Sequence, residues 1–178
     1  MSSSFPDGFS FQRRTEKKLM ALRPWLIAGL ALAAILFQVY VPLFFPFLGY
    51  LELPLLVVVY FALLRRSQLA GIVIGATIGL VQDSLSHHWL GMFGMVKTLV
   101  GYFAGSMSMR FAVDHPAVRF GLIGFFVIFH QTVYWVLNRA LLGEALPLDL
   151  PRVLLLGLLN AFVGVPLFLL FDKLMLKG

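Results

Sequence analysis

Asp83 and Lys97 stand in two apolar runs joined by a short turn. A lone charge at mid-bilayer costs at least roughly 2.5 kcal/mol on insertion scales, so their placement predicts an ion pair, direct or through water, on the outer half of a helical hairpin. Such a pair would serve as a proton relay or coupling site, or as a peg that sets the register of two helices. Transport chemistry usually gathers more ionisable groups than one Asp and one Lys, so the register role is favoured. It requires that Lys97 not snorkel outward to the headgroups.

Other polar side chains recur at helical spacing. His130, Gln131, Tyr134 and Asn138 make a stripe suited to lining an internal cavity or meeting a partner's helix, with packing as the default. Gly157, Asn160 and Gly164 share a face ahead of Pro166, and a buried Asn gains about 0.6 kcal/mol by bonding between helices. His87 and His88 are adjacent, so on a helix they point about 100° apart and chelate one metal poorly.

No zinc-hydrolase spacing, phosphate-cradling loop or nucleophile elbow is present, and there is no cysteine. The expectation is a chain without catalysis, metal or cofactor.

Small residues are the more frequent signal. Gly71, Gly75, Gly79 and Asp83 repeat at four-residue intervals, and Gly94, Lys97, Gly101 and Gly105 at three or four. Gly29 and Ala33, amid Ala28, Ala31 and Ala34, make a third stripe. Such faces let helix backbones approach closely, which is the main source of helix association in lipid. The first-helix stripe suits either a partner's single helix or this bundle.

The elements that must carry these residues follow from hydropathy. Of the 178 residues, 60% are hydrophobic and 12% charged, against roughly 25% charged in soluble domains. The mean hydropathy is +0.92. A bilayer crossing takes about 20 apolar residues, and six runs qualify or nearly do: Trp25 to Phe45, Leu51 to Leu64, Ser67 to Leu85, Leu90 to Met109, Phe120 to Leu142 and Val153 to Leu170. Pro42, Pro46 and Gly49 are expected to break the pattern after the first run, which lacks a cleavage site and reads as a retained helix. Trp89 suits an interface anchor.

The net charge of +6 lies in clusters between the runs, which speaks for anionic lipid rather than nucleic acid. The N-terminal tail, Arg65 and Arg66, the Arg110 to Arg119 loop, and Lys173 with Lys177 fall on one side. By the positive-inside rule that side is the cytoplasm and holds both termini. The expected organisation is a basic tail over 1–23, in part interfacial, and an all-α polytopic domain of six transmembrane helices over 24–178. A four-span protein with a re-entrant hairpin is the structural alternative.

Three stretches resemble the rod-shape-determining protein MreD family. They are Glu52-Leu53-Pro54-Leu55-Leu56 running to Arg65-Arg66; Gly79-Leu80-Val81-Gln82-Asp83 with Leu90-Gly91 and Gly101-Tyr102; and Asn160-Ala161 leading to Pro166. The resemblance implies a non-catalytic scaffold of the bacterial cell-elongation machinery in the inner membrane. It also implies a bitopic partner of the MreC kind and, through it, a RodA-type glycosyltransferase and a penicillin-binding transpeptidase. The implied fold is similar to the substrate-binding component of energy-coupling-factor transporters, and a vitamin-transporter subunit is therefore the rival reading. Asp83 falls on the family's pattern; Lys97 rests on spacing alone. The residues expected to hold the structure or a partner are Asp83, Lys97, Gly75, Gly79, Gly101, Gly105, Asn160, Gly29 and Ala33.

Overall fold

A computed structural model describes residues 24–86, 91–111, 113, 115–143, 147 and 149–177. The expectations for the basic tail, the His87–His88 pair and the Trp89 anchor lie outside the described residues. Among those described, the regular elements are all helical. They are α1 (Pro24–Phe44), a 3-10 helix (Pro46–Tyr50), α2 (Leu53–Arg65), α3 (Gln68–Leu85), α4 (Met92–Ser108), α5 (Pro116–Leu142) and α6 (Leu150–Lys177).

Local sequence explains the boundaries. Ser67 caps α3 by accepting the Ala70 N–H at 3.4 Å, and proline opens α2 and α5, where a missing N–H costs nothing. Arg66 ends α2 in the left-handed region at φ 47°, and Gly143 ends α5 at φ 68°. Pro42 departs from expectation: α1 runs through it to Phe44. The proline lies in the last turn, so it forfeits one bond, and few residues beyond it remain to be displaced.

Among the described residues, five stretches are long and apolar enough to cross a bilayer: Trp25–Phe44, Pro46–Arg65, Gln68–Leu85, Pro116–Leu142 and Leu150–Met175. Helix α4 has 17 residues and is about 26 Å long. Large apolar side chains are exposed on the outward faces, as at Leu32 and Leu43 on α1, Leu69 and Val73 on α3, and Leu155 and Phe162 on α6. Surface of this extent and polarity suits lipid, and the chain is a multi-pass helical membrane protein.

Helix α2 is the hub. Its 13 residues span about 20 Å, short of the roughly 30 Å hydrocarbon layer. Every residue from Pro54 to Leu63 is buried. Helices α1, α3, α4 and α5 pack around it, and on the α6 side the Tyr60 ring meets Phe168 and Phe171 edge-on at 5.1 Å each. A short helix is tolerated at this depth because protein, not lipid, surrounds it.

Candidate functional site

The glycine stripes of α3 and α4 meet each other, and this contact positions the charged residues. The helices run antiparallel with backbones touching: a Cβ added to Gly75 would land on the Lys97 carbonyl, and one added to Gly71 on that of Gly101. At the ends of the contact a Cβ on Gly79 would lie 2.6 Å from Gly94 Cα, and one on Gly105 2.7 Å from the Ser67 carbonyl oxygen. Lipid supplies no hydrophobic drive between helices, so dispersion at this separation takes its place.

That register brings Asp83, at the end of α3, over the start of α4. Its carboxylate accepts three backbone N–H groups: Gly91 at 3.0 Å and Gly94 at 2.9 Å on Oδ2, and Phe93 at 3.1 Å on Oδ1. These are among the donors that a helix start leaves unpaired, and the negative charge also meets the positive end of the helix dipole. Gly91, at φ 96°, lets the chain turn into α4.

The expected direct ion pair is therefore absent. Both carboxylate oxygens of Asp83 go to the α4 backbone, and Lys97 makes no salt bridge with it among the described residues. Nor does Lys97 snorkel: its side chain is fully buried, and Nζ has no hydrogen-bond partner. The ammonium lies 4.4 Å from the centroid of the Phe93 ring, a cation–π contact. Phe93 stacks on Tyr134 at 5.1 Å and on His130 at 6.1 Å. Both His130 nitrogens and Gln82 Oε1 are also buried without a hydrogen-bond partner.

Next to this centre the backbone between the 3-10 helix and α2 is irregular, and two amide side chains satisfy it. Asn160 on α6 accepts the Glu52 N–H at 2.8 Å and donates to the Tyr50 carbonyl at 2.9 Å. Gln38 on α1 accepts the Leu53 N–H at 3.3 Å and donates to the Gly49 carbonyl at 3.4 Å. Unpaired backbone groups at membrane depth cost several kcal/mol each, by order of magnitude, so this clamp lets the chain leave helical geometry there. Beside it opens a cavity of about 510 Å³, lined by Tyr50, Glu52, Gln131, Tyr134, Trp135 and Arg152 among others. Two members of the polar stripe thus line a cavity, while His130 and Asn138 are buried.

The sequence model for the rod shape-determining protein MreD matches residues 20–177, nearly the whole chain. The chain belongs to the MreD family. No curated protein and no solved structure matches it. In this MreD-family chain the stretches that carried the resemblance are hydrogen-bonded joints. Glu52 is bonded to Asn160 across 108 residues, and Asp83 to Gly91 across the α3–α4 turn.

The remaining small residues divide into two groups. Gly157 packs against Ile128 and the Gly124 carbonyl, and Gly164 against Ile123 and Leu56. Gly29 and Ala33 are exposed on α1, and nothing lies within 4 Å of a Cβ added to Gly29. Among the described residues no group of three or more His, Cys, Asp or Glu is placed to hold a metal.

At the opposite, basic end a network that sequence reasoning missed joins three helices. Asp172 on α6 accepts from Arg119 on α5 at 2.6 Å and from the Tyr60 hydroxyl on α2 at 2.9 Å. Arg119 Nε also donates to the Val113 carbonyl at 2.8 Å. The available signal was an acidic residue just beyond the last apolar run, one turn past Phe168 and beside Lys173.

Proposed function

We propose that this chain is a non-catalytic scaffold of the bacterial cell-elongation machinery, acting in peptidoglycan synthesis from the inner membrane. In this reading it crosses the bilayer six times, with both termini cytoplasmic and the basic tail on the inner lipid surface. Its partner is a MreC-like bitopic protein, and through it the scaffold positions a RodA-type glycosyltransferase and a penicillin-binding transpeptidase. Membership of the MreD family over residues 20–177 is the observation that carries the reading.

Two features support the finer parts. Helix α4 lies antiparallel against α3 along its whole length, as the second arm of a membrane hairpin would. Exposed Gly29 and Ala33 leave a shallow face on α1 where a single transmembrane helix can approach backbone to backbone. The buried glycines, Asp83 and Asn160 hold the bundle that presents this face. The vitamin-transporter reading draws no support from the family match.

The test is depletion in a rod-shaped host with no second copy, complemented by the wild type or by a Gly29→Leu/Ala33→Leu double variant. Depleted cells should become round. The wild type should restore rods and co-purify the single-span partner, and the double variant should reach the membrane folded but do neither. Rods after clean deletion would sink the scaffold role; rods with the double variant would move the partner to another face.

A further inference from the structure

A cavity opens at the end of the bundle away from the Asp172 network. Helices α5 and α6 are close where Gly124 faces Gly157, and nearer the loop that joins them they line the cavity from either side. Its volume of about 510 Å³ lies within the range of small-molecule sites, roughly 300–1,000 Å³. Its lining combines three aromatic rings, two carboxylates and a guanidinium: Tyr50, Tyr134, Trp135, Glu52, Asp149 and Arg152.

These groups are ordered by depth. Glu52, Tyr134 and Trp135 are half-buried, whereas Asp149 and Arg152 are exposed at the mouth. Carboxylate with aromatic faces is the chemistry that recognises an ammonium group, and the rings here already attract cations. Arg152 lies over Tyr50 at 5.8 Å, and Arg139 over Trp135 at 5.6 Å. A guanidinium at the mouth matches phosphate. We propose that this cavity binds a zwitterionic amine–phosphate group, its ammonium among Glu52, Tyr134 and Trp135 and its phosphate at Arg152.

Two sources carry that chemistry: the headgroup of an aminoalkyl phosphate lipid, or a soluble amine–phosphate. The site is independent of the scaffold reading and of any partner on α1.

The test uses the full chain, delipidated in detergent, with binding followed by native mass spectrometry. The probes are short-chain phosphatidylethanolamine, phosphatidylglycerol of the same chain length, and soluble glycerophosphoethanolamine. Phosphatidylethanolamine should bind about tenfold more tightly than phosphatidylglycerol, a difference that Glu52→Gln with Arg152→Met abolishes. Glu52 also belongs to the segment that Asn160 clamps. A second variant, Leu156→Trp, therefore fills the cavity without altering a charge and should abolish the preference as well. Competition by glycerophosphoethanolamine at equal concentration supports the site with a soluble ligand; its failure beside lipid binding supports the site with a lipid. Equal binding of the two lipids, or a preference that survives Leu156→Trp, overturns the proposal.

Discussion

Gly71 and Gly101 face each other across α3 and α4 so closely that a Cβ on either would land on the other's carbonyl. No rotamer relieves that clash, because the obstacle is backbone on both sides. The pair defines the separation of the two helices, and with it the placement of Asp83 over the α4 start.

Gly101→Ala should therefore force the helices apart, at a cost of about 1–3 kcal/mol or more. Gly29→Ala, made where a Cβ meets nothing, should be neutral or stabilising by up to about 1 kcal/mol through helix propensity. Thermal unfolding of the two variants in the same detergent checks the contrast. Equal losses would mean that the α3–α4 contact does not govern stability.

Asp83 and Lys97 make opposite predictions. Asp83→Ala strands three backbone donors at the start of α4 and should cost about 2–4 kcal/mol, between one lost cap and several buried unsatisfied groups. Lys97→Met removes a buried ammonium that no hydrogen bond compensates, so stability should hold or rise. Chemical denaturation of both, with the double variant, is decisive. A strong loss in Lys97→Met, not deepened in the double variant, would restore the ion pair.

The clamp on the Tyr50–Glu52 backbone predicts coupling between Gln38 and Asn160. Each side chain bonds one edge of the same irregular segment. Asn160→Leu should cost about 1–3 kcal/mol by leaving the Glu52 N–H unpaired, and Gln38→Leu less, because its bonds are longer. A double-mutant cycle should be non-additive by at least about 0.5 kcal/mol, as the first loss already frees the segment. Simple additivity would mean that the two amides act separately.

At the basic end Asp172→Leu should be costlier than Tyr60→Phe. The first leaves Arg119 without its carboxylate at 2.6 Å, a loss of about 1–3 kcal/mol, while the second removes one hydroxyl, worth about 1 kcal/mol. Thermal melts should rank Asp172→Leu, Tyr60→Phe and wild type in rising order. A reversed ranking would mean that the hydroxyl, not the ion pair, ties these helices.

Much of this architecture is legible along the chain because its causes are local. Lipid as solvent demands apolar runs of a certain length, and five such runs are present as helical stretches among the described residues. Serine before α3 and proline at the start of α2 and α5 mark boundaries through their own backbone chemistry. The glycine periodicities reveal that two faces permit close approach, and the ordered short motifs were sufficient to point to the MreD family. Partner choice is another matter. Opposite charges on neighbouring helices suggest a pair, yet the register of α3 on α4 aims Asp83 at backbone donors and leaves Lys97 over Phe93. The spacing of Asn160 suggests a link between helices, whereas its amide holds an irregular segment 108 residues away. Asp172 is visible as an acidic residue, but its partners Arg119 and Tyr60 are set only by folding. Hydropathy and spacing constrain one helix at a time, whereas a hydrogen bond depends on the rotation, tilt and register of two, and those are settled only when all the helices close around α2.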